Sequence, residues 1–361
     1  MNKVLLLSHM PPPTTGIGSW TKKLLKLGMG PDWEIVLVNT NTINGRDPFK
    51  NEKRNIKDEW TRCSNIWRQE RAYLKNDKEG EIKVVHTCIP CTLFGMMREI
   101  VSGAIAKHYG RKYILHCRCT VSNVVNTRMK QFVFRWLAAY CDGIIVLNKR
   151  SEEFAKHNSH SEVVLIPNFA EKSTMEFNIN QNEKKSKFEN LVFVGGVTKD
   201  KGCDLIIEAA KELPDIKFHL IGIVSDEIKN MSKTDNVILY GNKNNAFVKE
   251  FLNTADGFLF LSRYWGEGFS NALVEAMAAG LPCIVTDWAA NADMVGNEGG
   301  VVIGNSAEQL IEAISKLQRD ELFRIQAGSR NVKKVLSSYV DEVVIPQYTE
   351  FYEQLLKVGK K

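Results

Sequence analysis

Residues 257–286 read GFLFLSRYWGEGFSNALVEAMAAGLPCIVT, and this stretch decides the fold. Gly257–Leu261 is a short apolar run, and Cys283–Thr286 is another. Between them lies a helix pattern with its punctuation intact. Ser270 is a good N-cap, Ala-rich Asn271–Ala279 follows, and Gly280 with Pro282 ends it. Strand, helix and strand in this order form a βαβ unit, and such units build parallel sheets.

The rhythm extends in both directions. Upstream lie the apolar runs Leu191–Val194, Lys217–Ile221 and Asn236–Tyr240, with helix patterns over Cys203–Leu213 and Ala246–Thr254. The first half shows the same alternation. Its strand-like runs are Val4–Ser8, Glu34–Val38, Lys83–His86, Lys112–His116 and Gly143–Leu147, and its helix patterns include Trp20–Leu27 and Arg128–Tyr140. The rhythm pauses after Ile166-Pro167-Asn168, and the polar stretch Glu171–Asn190 reads as a linker. The 361 residues fit two domains at roughly 150 each. The expected organisation is an α/β domain over 1–168, a linker over 169–190, a second α/β domain over 191–340 and a terminal segment over 341–361. Two such domains are expected to face one another across a cleft, with ligand at the carboxyl ends of the strands.

Composition narrows the class. Apolar residues make up 44% and charged residues 25%, as in a globular enzyme and unlike a disordered chain. No apolar run approaches the ~20 residues of a membrane-spanning helix. The run Val4–Leu7 is shorter than the ~7 residues that a signal peptide needs, so a cytoplasmic protein is expected. The eight cysteines are then expected to be reduced. Cys88, Cys91, Cys117 and Cys119 form two close pairs that could hold zinc, but the second pair is tight and both follow strand-like runs. Residues 1–165 carry 26 Lys and Arg against 15 Asp and Glu, whereas the remainder is net acidic. A basic first half suits an anionic partner, a solvated surface being the plainer alternative.

Three features carry chemistry. The helix starting after Ser270 points bare N–H groups at whatever precedes it, which favours phosphate or sugar oxygens. Glu275 has no Lys or Arg three or four positions away. Either it faces solvent or it takes a sugar diol, to which a carboxylate accepts two hydrogen bonds. The loop Gly195-Gly196-Val197-Thr198-Lys199-Asp200-Lys201-Gly202 opens onto a helix in a phosphate-cradle arrangement, although it lacks the Gly-Lys-Ser/Thr of a Walker A loop. Near the amino terminus, Gly16-Ile17-Gly18 follows the first strand without completing a dinucleotide fingerprint.

The pair Glu267 and Glu275, within Glu-Gly-Phe…Glu-Ala-Met-Ala-Ala-Gly-Leu-Pro, resembles the signature of the retaining glycosyltransferases of family 4, which have the GT-B fold of two Rossmann-like domains facing across a cleft. Gly16 and Gly18, Ile166-Pro167-Asn168 and Lys201-Gly202 are similar to further landmarks of that family, so the likeness covers nearly the whole chain. It implies a glycosyl transfer from a nucleoside diphosphate sugar, UDP-linked by the family's habit. The acceptor would be a saccharide, lipid-linked through a polyprenyl diphosphate, in O-antigen or capsule assembly. The implied catalytic residues are Glu267, which with Gly268, Phe269 and Ser270 would hold the donor sugar, and His116, beside the transferred sugar. Lys201 and Gly195 would hold the diphosphate, Gly16 and Gly18 would let backbone approach it, and Glu275 would bind the ribose. The segment Val344–Lys357 resembles the helix that crosses back to the first domain. No metal or other cofactor is expected. One departure stands out: Gly196 occupies the place where the family has a second cation, for which Lys199 or Arg263 could substitute.

Two segments of the first half could meet the acceptor. Arg46–Lys78 is dense in charge with Trp60 and Trp67 interleaved, and Arg128–Tyr140 is a basic, aromatic helix. Either could lie against an anionic bilayer at the inner face of the membrane, although packing beside the sheet is the preferred reading of the second. Nucleic acid is not an expected partner, since no recognised binding module is present. An epimerase or phosphorylase of the same fold, and a non-catalytic nucleotide-sugar binder, are the alternative readings.

Overall fold

The computed structural model describes residues 1–12, 15–41, 56–177 and 187–358. Pro13, Thr14, the Arg46–Asn55 part of the charged stretch and the middle of the expected linker lie outside them. The chain divides into two compact units. One comprises residues 1–167 with 344–361, and the other comprises residues 168–343.

The first unit contains β1 (Asn2–Ser8), α1 (Gly16–Leu27), β2 (Trp33–Asn39), α2 (Ile56–Asn76), β3 (Ile82–Ile89), α3 (Leu93–His108), β4 (Lys112–Cys117), α4 (Val121–Val124), α5 (Arg128–Ala138), β5 (Gly143–Val146), α6 (Lys149–Asn158) and β6 (Glu162–Leu165). Its sheet is parallel, in the order β2-β1-β3-β4-β5-β6. The second unit contains β7 (Asn190–Val194), α7 (Cys203–Glu212), β8 (Lys217–Ile221), α8 (Asp226–Met231), β9 (Val237–Gly241), α9 (Asn245–Thr254), β10 (Gly257–Phe260), α10 (Asn271–Ala278), β11 (Cys283–Thr286), α11 (Asn291–Val295), β12 (Gly300–Ile303), α12 (Ala307–Arg319) and α13 (Glu321–Ser338). Its sheet is also parallel, in the order β12-β11-β10-β7-β8-β9. Read from β9, this is the doubly wound Rossmann order. The central strands are apolar on both faces because helices cover both sides: Leu5, Val84, Ile114, Val192 and Phe258 are all fully buried.

The last helix, α14 (Asp341–Val358), returns to the first unit. Phe351 and Leu355 pack over Gly143 of β5, where a Cβ would come within 2.6 Å of the Phe351 ring. Tyr352 stacks edge-on against Trp33 at 5.1 Å. The expected linker is partly built into the second unit. Ala170 bridges to Val340, the Lys172 N–H donates to Asp341 at 2.8 Å, and Lys172–Thr174 forms a 3-10 turn. Polar composition hid these attachments, because they are made by backbone groups and a single carboxylate.

Of the four cysteines weighed as a zinc site, three are brought together, the Cys91 thiol meeting those of Cys117 and Cys119, while the fourth stands apart from them. Cys91, Cys117 and Cys119 lie in the apolar core of the first unit, whereas Cys88 sits beside His86. All eight cysteines are free and buried.

Helix α2 brings an acid into this core. Glu70 is fully buried, and burial pushes its carboxyl up to about 9. The folded unit therefore keeps a proton that the unfolded chain, with an ordinary carboxylate near 4.5, releases. Stability attributable to this group is present below pH 4.5 and is lost as pH rises toward 9. Glu70→Gln should raise the melting temperature at pH 8, by the equivalent of about 1 kcal/mol or more, and the gain should shrink toward pH 5. Thermal melts at the two pH values check this, and a gain independent of pH would refute it.

Candidate functional site

In the second unit the strand order reverses between β7 and β10. Open α/β sheets bind ligands outside the carboxyl ends of the strands at such a point. Two loops meet there because of Gly202. Its φ of +78° is left-handed, and a Cβ would strike the Leu261 carbonyl oxygen at 2.3 Å. Only glycine lets the turn at Lys199–Lys201 settle against the end of β10, and the Arg263 N–H then donates to the Asp200 carbonyl at 2.8 Å.

This approach puts Lys201 against Glu267. Their side chains form an ion pair, 21% and 12% exposed. The Ser262 hydroxyl donates to the same Glu267 oxygen at 3.1 Å, and the Lys201 ammonium lies 4.7 Å from the centre of the Tyr264 ring. Gly268, Phe269 and Ser270 are buried beyond it. Ser270 caps α10 by accepting the Leu273 N–H at 3.2 Å, and Asn168 Nδ2 donates to the Phe269 carbonyl at 3.4 Å. Glu275 is half-buried on α10. Gly195 ends β7 with its N–H on the Ile221 carbonyl. Lys201, Glu267, Ser270 and Gly195 thus share one end of one sheet.

An open depression of about 680 Å³ adjoins the pair at the ends of β10, β11 and β12, with Ser262 in its wall. Neither substitute for the cation missing at Gly196 stands free. Arg263 is held by Asp204 and by Asn305 at 2.9 Å, and Lys199 lies 3.4 Å from Glu227.

In the first unit, α1 follows β1 as the glycine loop suggested. Thr15 caps it, accepting the Gly18 N–H at 3.0 Å. That N–H is therefore engaged within the loop, and Gly18 is buried against Pro11 while Gly16 is exposed.

His116, at the carboxyl end of β4, is fully buried. Arg118 Nη1 lies 3.0 Å from its Nε2, and its Nδ1 lies 3.1 Å from His86 Nε2. His86 Nδ1 in turn meets the Tyr352 hydroxyl. Arginine can only donate, which sets the direction of the chain. His116 accepts at Nε2 and carries its proton on Nδ1. It passes that hydrogen bond to His86, whose own proton points at Tyr352. Both rings are neutral. Burial, then the charge of Arg118, lowers the His86 pKa to about 3, and burial likewise holds His116 well below the usual histidine range. With both ring nitrogens engaged and protonation suppressed, the His116 side chain is not placed for acid or base work on a sugar.

His86, Cys88 and His116 offer ligand atoms all within 4.8 Å of one another. The chain's direction opposes an ion there. The His116 Nδ1 proton points at His86, and the guanidinium on the far side adds a positive charge. Sequence reading missed His86, Arg118 and Tyr352. The available signal was that two adjacent strand-like runs both end in histidine.

The family model of glycosyl transferases group 1 matches residues 174–334. The capsular polysaccharide biosynthesis glycosyltransferase CapM of Staphylococcus aureus is 26% identical over 201 residues, 50% of this chain and 52% of that protein. The Escherichia coli UDP-Gal:alpha-D-GlcNAc-diphosphoundecaprenol alpha-1,3-galactosyltransferase is 26% identical over 255 residues, 59% of this chain and 65% of that one. The chain thus spans about half to two thirds of the length of these relatives. The solved sucrose-phosphate synthase of Thermosynechococcus elongatus superposes with a TM-score of 0.78 at 14% identity, covering 99% of this chain and 100% of that one. That likeness gives the fold, two Rossmann-like α/β domains of the GT-B kind, and over the matched residues the second unit is similar to the glycosyl transferases group 1.

Proposed function

We propose that the protein is a retaining glycosyltransferase of surface-polysaccharide assembly. It would move a sugar from a UDP-linked donor to a saccharide carried on a polyprenyl diphosphate. The observation that carries the reading is the Lys201–Glu267 pair, set at the β7/β10 reversal beside the capped start of α10. The relative that acts on a diphosphoundecaprenol substrate with UDP-galactose supports both substrate classes.

The chemistry follows from charge. Glycosyl transfer develops an oxocarbenium-like sugar and negative charge on the leaving diphosphate. Lys201 and the α10 N-terminus supply positive potential for that charge without a metal. When a diphosphate takes up Lys201, Glu267 is released to a sugar hydroxyl, and Glu275 binds the ribose diol. The departing phosphate oxygen, on the same face as the acceptor, takes the acceptor's proton.

UDP should therefore stabilise the protein more than GDP, ADP, dTDP or NAD does. At 100 times its dissociation constant it should add about 2.7 kcal/mol, and Lys201→Ala or Glu275→Ala should abolish the shift. Melting curves across the panel check this. No shift with any nucleotide would refute the donor site, and turnover that needs no acceptor would instead favour an epimerase or phosphorylase.

The bilayer reading gains a surface on α5. Val133, Phe134 and Leu137 face the core, as the preferred reading had it. A second stripe, Met129, Phe132 and Trp136, is 60%, 68% and 50% exposed at helical spacing. Exposed Arg128 and Arg135 flank it. Aromatic and basic residues on one helix face suit an anionic interface. No helix among the described residues is long and apolar enough to cross a membrane. The protein should co-sediment with phosphatidylglycerol vesicles, and less so as salt rises. Phe132→Glu with Trp136→Glu should cut the bound fraction by more than about tenfold. Binding that ignores both changes would exclude this face.

A further inference from the structure

The first unit buries a positive charge that nothing among the described residues neutralises. Arg118 is 8% exposed. No ion pair among the described residues reaches it, and the acidic groups that act on it are only the Cys88 thiol and the Tyr348 hydroxyl. Its two histidine neighbours are neutral. A buried guanidinium without a counter-charge is a costly arrangement, and groups perturbed in this way cluster at functional sites.

Its setting is built. The guanidinium lies over the Trp20 ring, 4.5 Å from the centroid, so one face is covered. One N–H is committed to His116 Nε2, and the Tyr348 hydroxyl is a second side-chain partner of the guanidinium. A guanidinium has five N–H donors in a planar fork, and its remaining edge suits two oxygens of one oxyanion. The backbone N–H of Arg118 donates to the Ile89 carbonyl at 2.8 Å, which fixes the residue where β3 and β4 end. That is the ligand-binding side of a parallel sheet, one strand from the β1/β3 reversal.

We propose that Arg118 is the anion-binding group of the first unit, that it takes paired oxygens of a substrate phosphate, and that His116 is the residue that positions it. The polar chain explains why two histidines are kept neutral beside it. Tyr352 orients His86, His86 orients His116, and His116 holds one prong of the fork. A protonated histidine in that place would repel the arginine. The identity of the ligand rests on the function proposed above. A polyprenyl diphosphate acceptor and a nucleoside diphosphate donor both bring phosphate, and the test separates them.

The experiment uses the full chain saturated with UDP and titrated with farnesyl diphosphate, a soluble prenyl diphosphate, and separately with inorganic pyrophosphate. Calorimetry reads affinity, and nitrogen-15 histidine spectra read the His116 Nε2 signal. In the wild type, farnesyl diphosphate should bind and move that signal. Arg118→Gln should weaken its binding by about tenfold or more while UDP affinity stays within about twofold. Arg118→Lys keeps the charge without the fork and should retain a part of the binding, and it carries the comparison if the glutamine variant does not fold. An unmoved Nε2 signal on saturation overturns the proposal. So does a prenyl diphosphate that binds the wild type and Arg118→Gln equally, whereas one that binds only by displacing UDP, with both weakened in Arg118→Gln, assigns the fork to the donor's phosphate. Failure of UDP to bind, with the prenyl diphosphate still dependent on Arg118, would remove the donor reading and leave this one standing.

Discussion

The close approach of Gly202 to Leu261 is the constraint on which the second unit's chemistry depends. A parallel sheet ends its strands side by side, but the loops that leave them diverge. Here a backbone carbonyl occupies the space in which any other residue would carry its Cβ. A second contact of the same kind joins the neighbouring loop, where a Cβ on Gly222 would come within 1.7 Å of the Gly195 carbonyl oxygen. These contacts draw the ends of β8, β7 and β10 together. Lys201 and Glu267, 66 residues apart in sequence, become partners as a result.

The first unit is organised by a different force. Its polar residues are ordered by a donor that cannot accept. The direction imposed by Arg118 runs through two imidazoles to the Tyr352 hydroxyl, and each member has its proton placed by the one before it. Around this thread the packing is aromatic. Trp20 meets His116 edge-on at 5.3 Å, and Tyr348 lies 5.8 Å from each of these rings. Low dielectric strengthens such a chain and makes any broken link expensive. The two units therefore treat charge differently. At the carboxyl ends of their strands, one pairs it locally between Lys201 and Glu267, and the other leaves Arg118 without an ion-pair partner among the described residues.

Much of the fold was legible because the signals were local. Gly257–Leu261, Asn271–Ala279 and Cys283–Thr286 match β10, α10 and β11 closely, since caps and apolar runs mark their own ends. Lys217–Ile221 coincides with β8. Less periodic elements escaped: β12 is short and glycine-led, and α2 is so polar that it reads as a charged surface. The site divides along the same line. Ser270 announces its cap in four residues, whereas the engagement of both His116 nitrogens depends on β3, β4 and α14 together. The Gly18 N–H fell between these cases, since Thr15 takes it three positions away. The helix Arg128–Ala138 shows a limit of periodicity, because a core face and an exposed apolar face give overlapping patterns.

The returning helix α14 has a consequence for the order of synthesis. Tyr348, Phe351, Tyr352 and Leu355 are buried parts of the first unit, yet residues 168–343 are made before them. At about 5–20 residues per second, the ribosome needs roughly ten to thirty-five seconds to add that intervening stretch. During this time the nascent first unit lacks the tyrosines that cover Trp20, Trp33 and His86. The second unit has its own complete sheet before then and is free to fold. The amino-terminal half of the chain thus reaches its finished core only once α14 has been made.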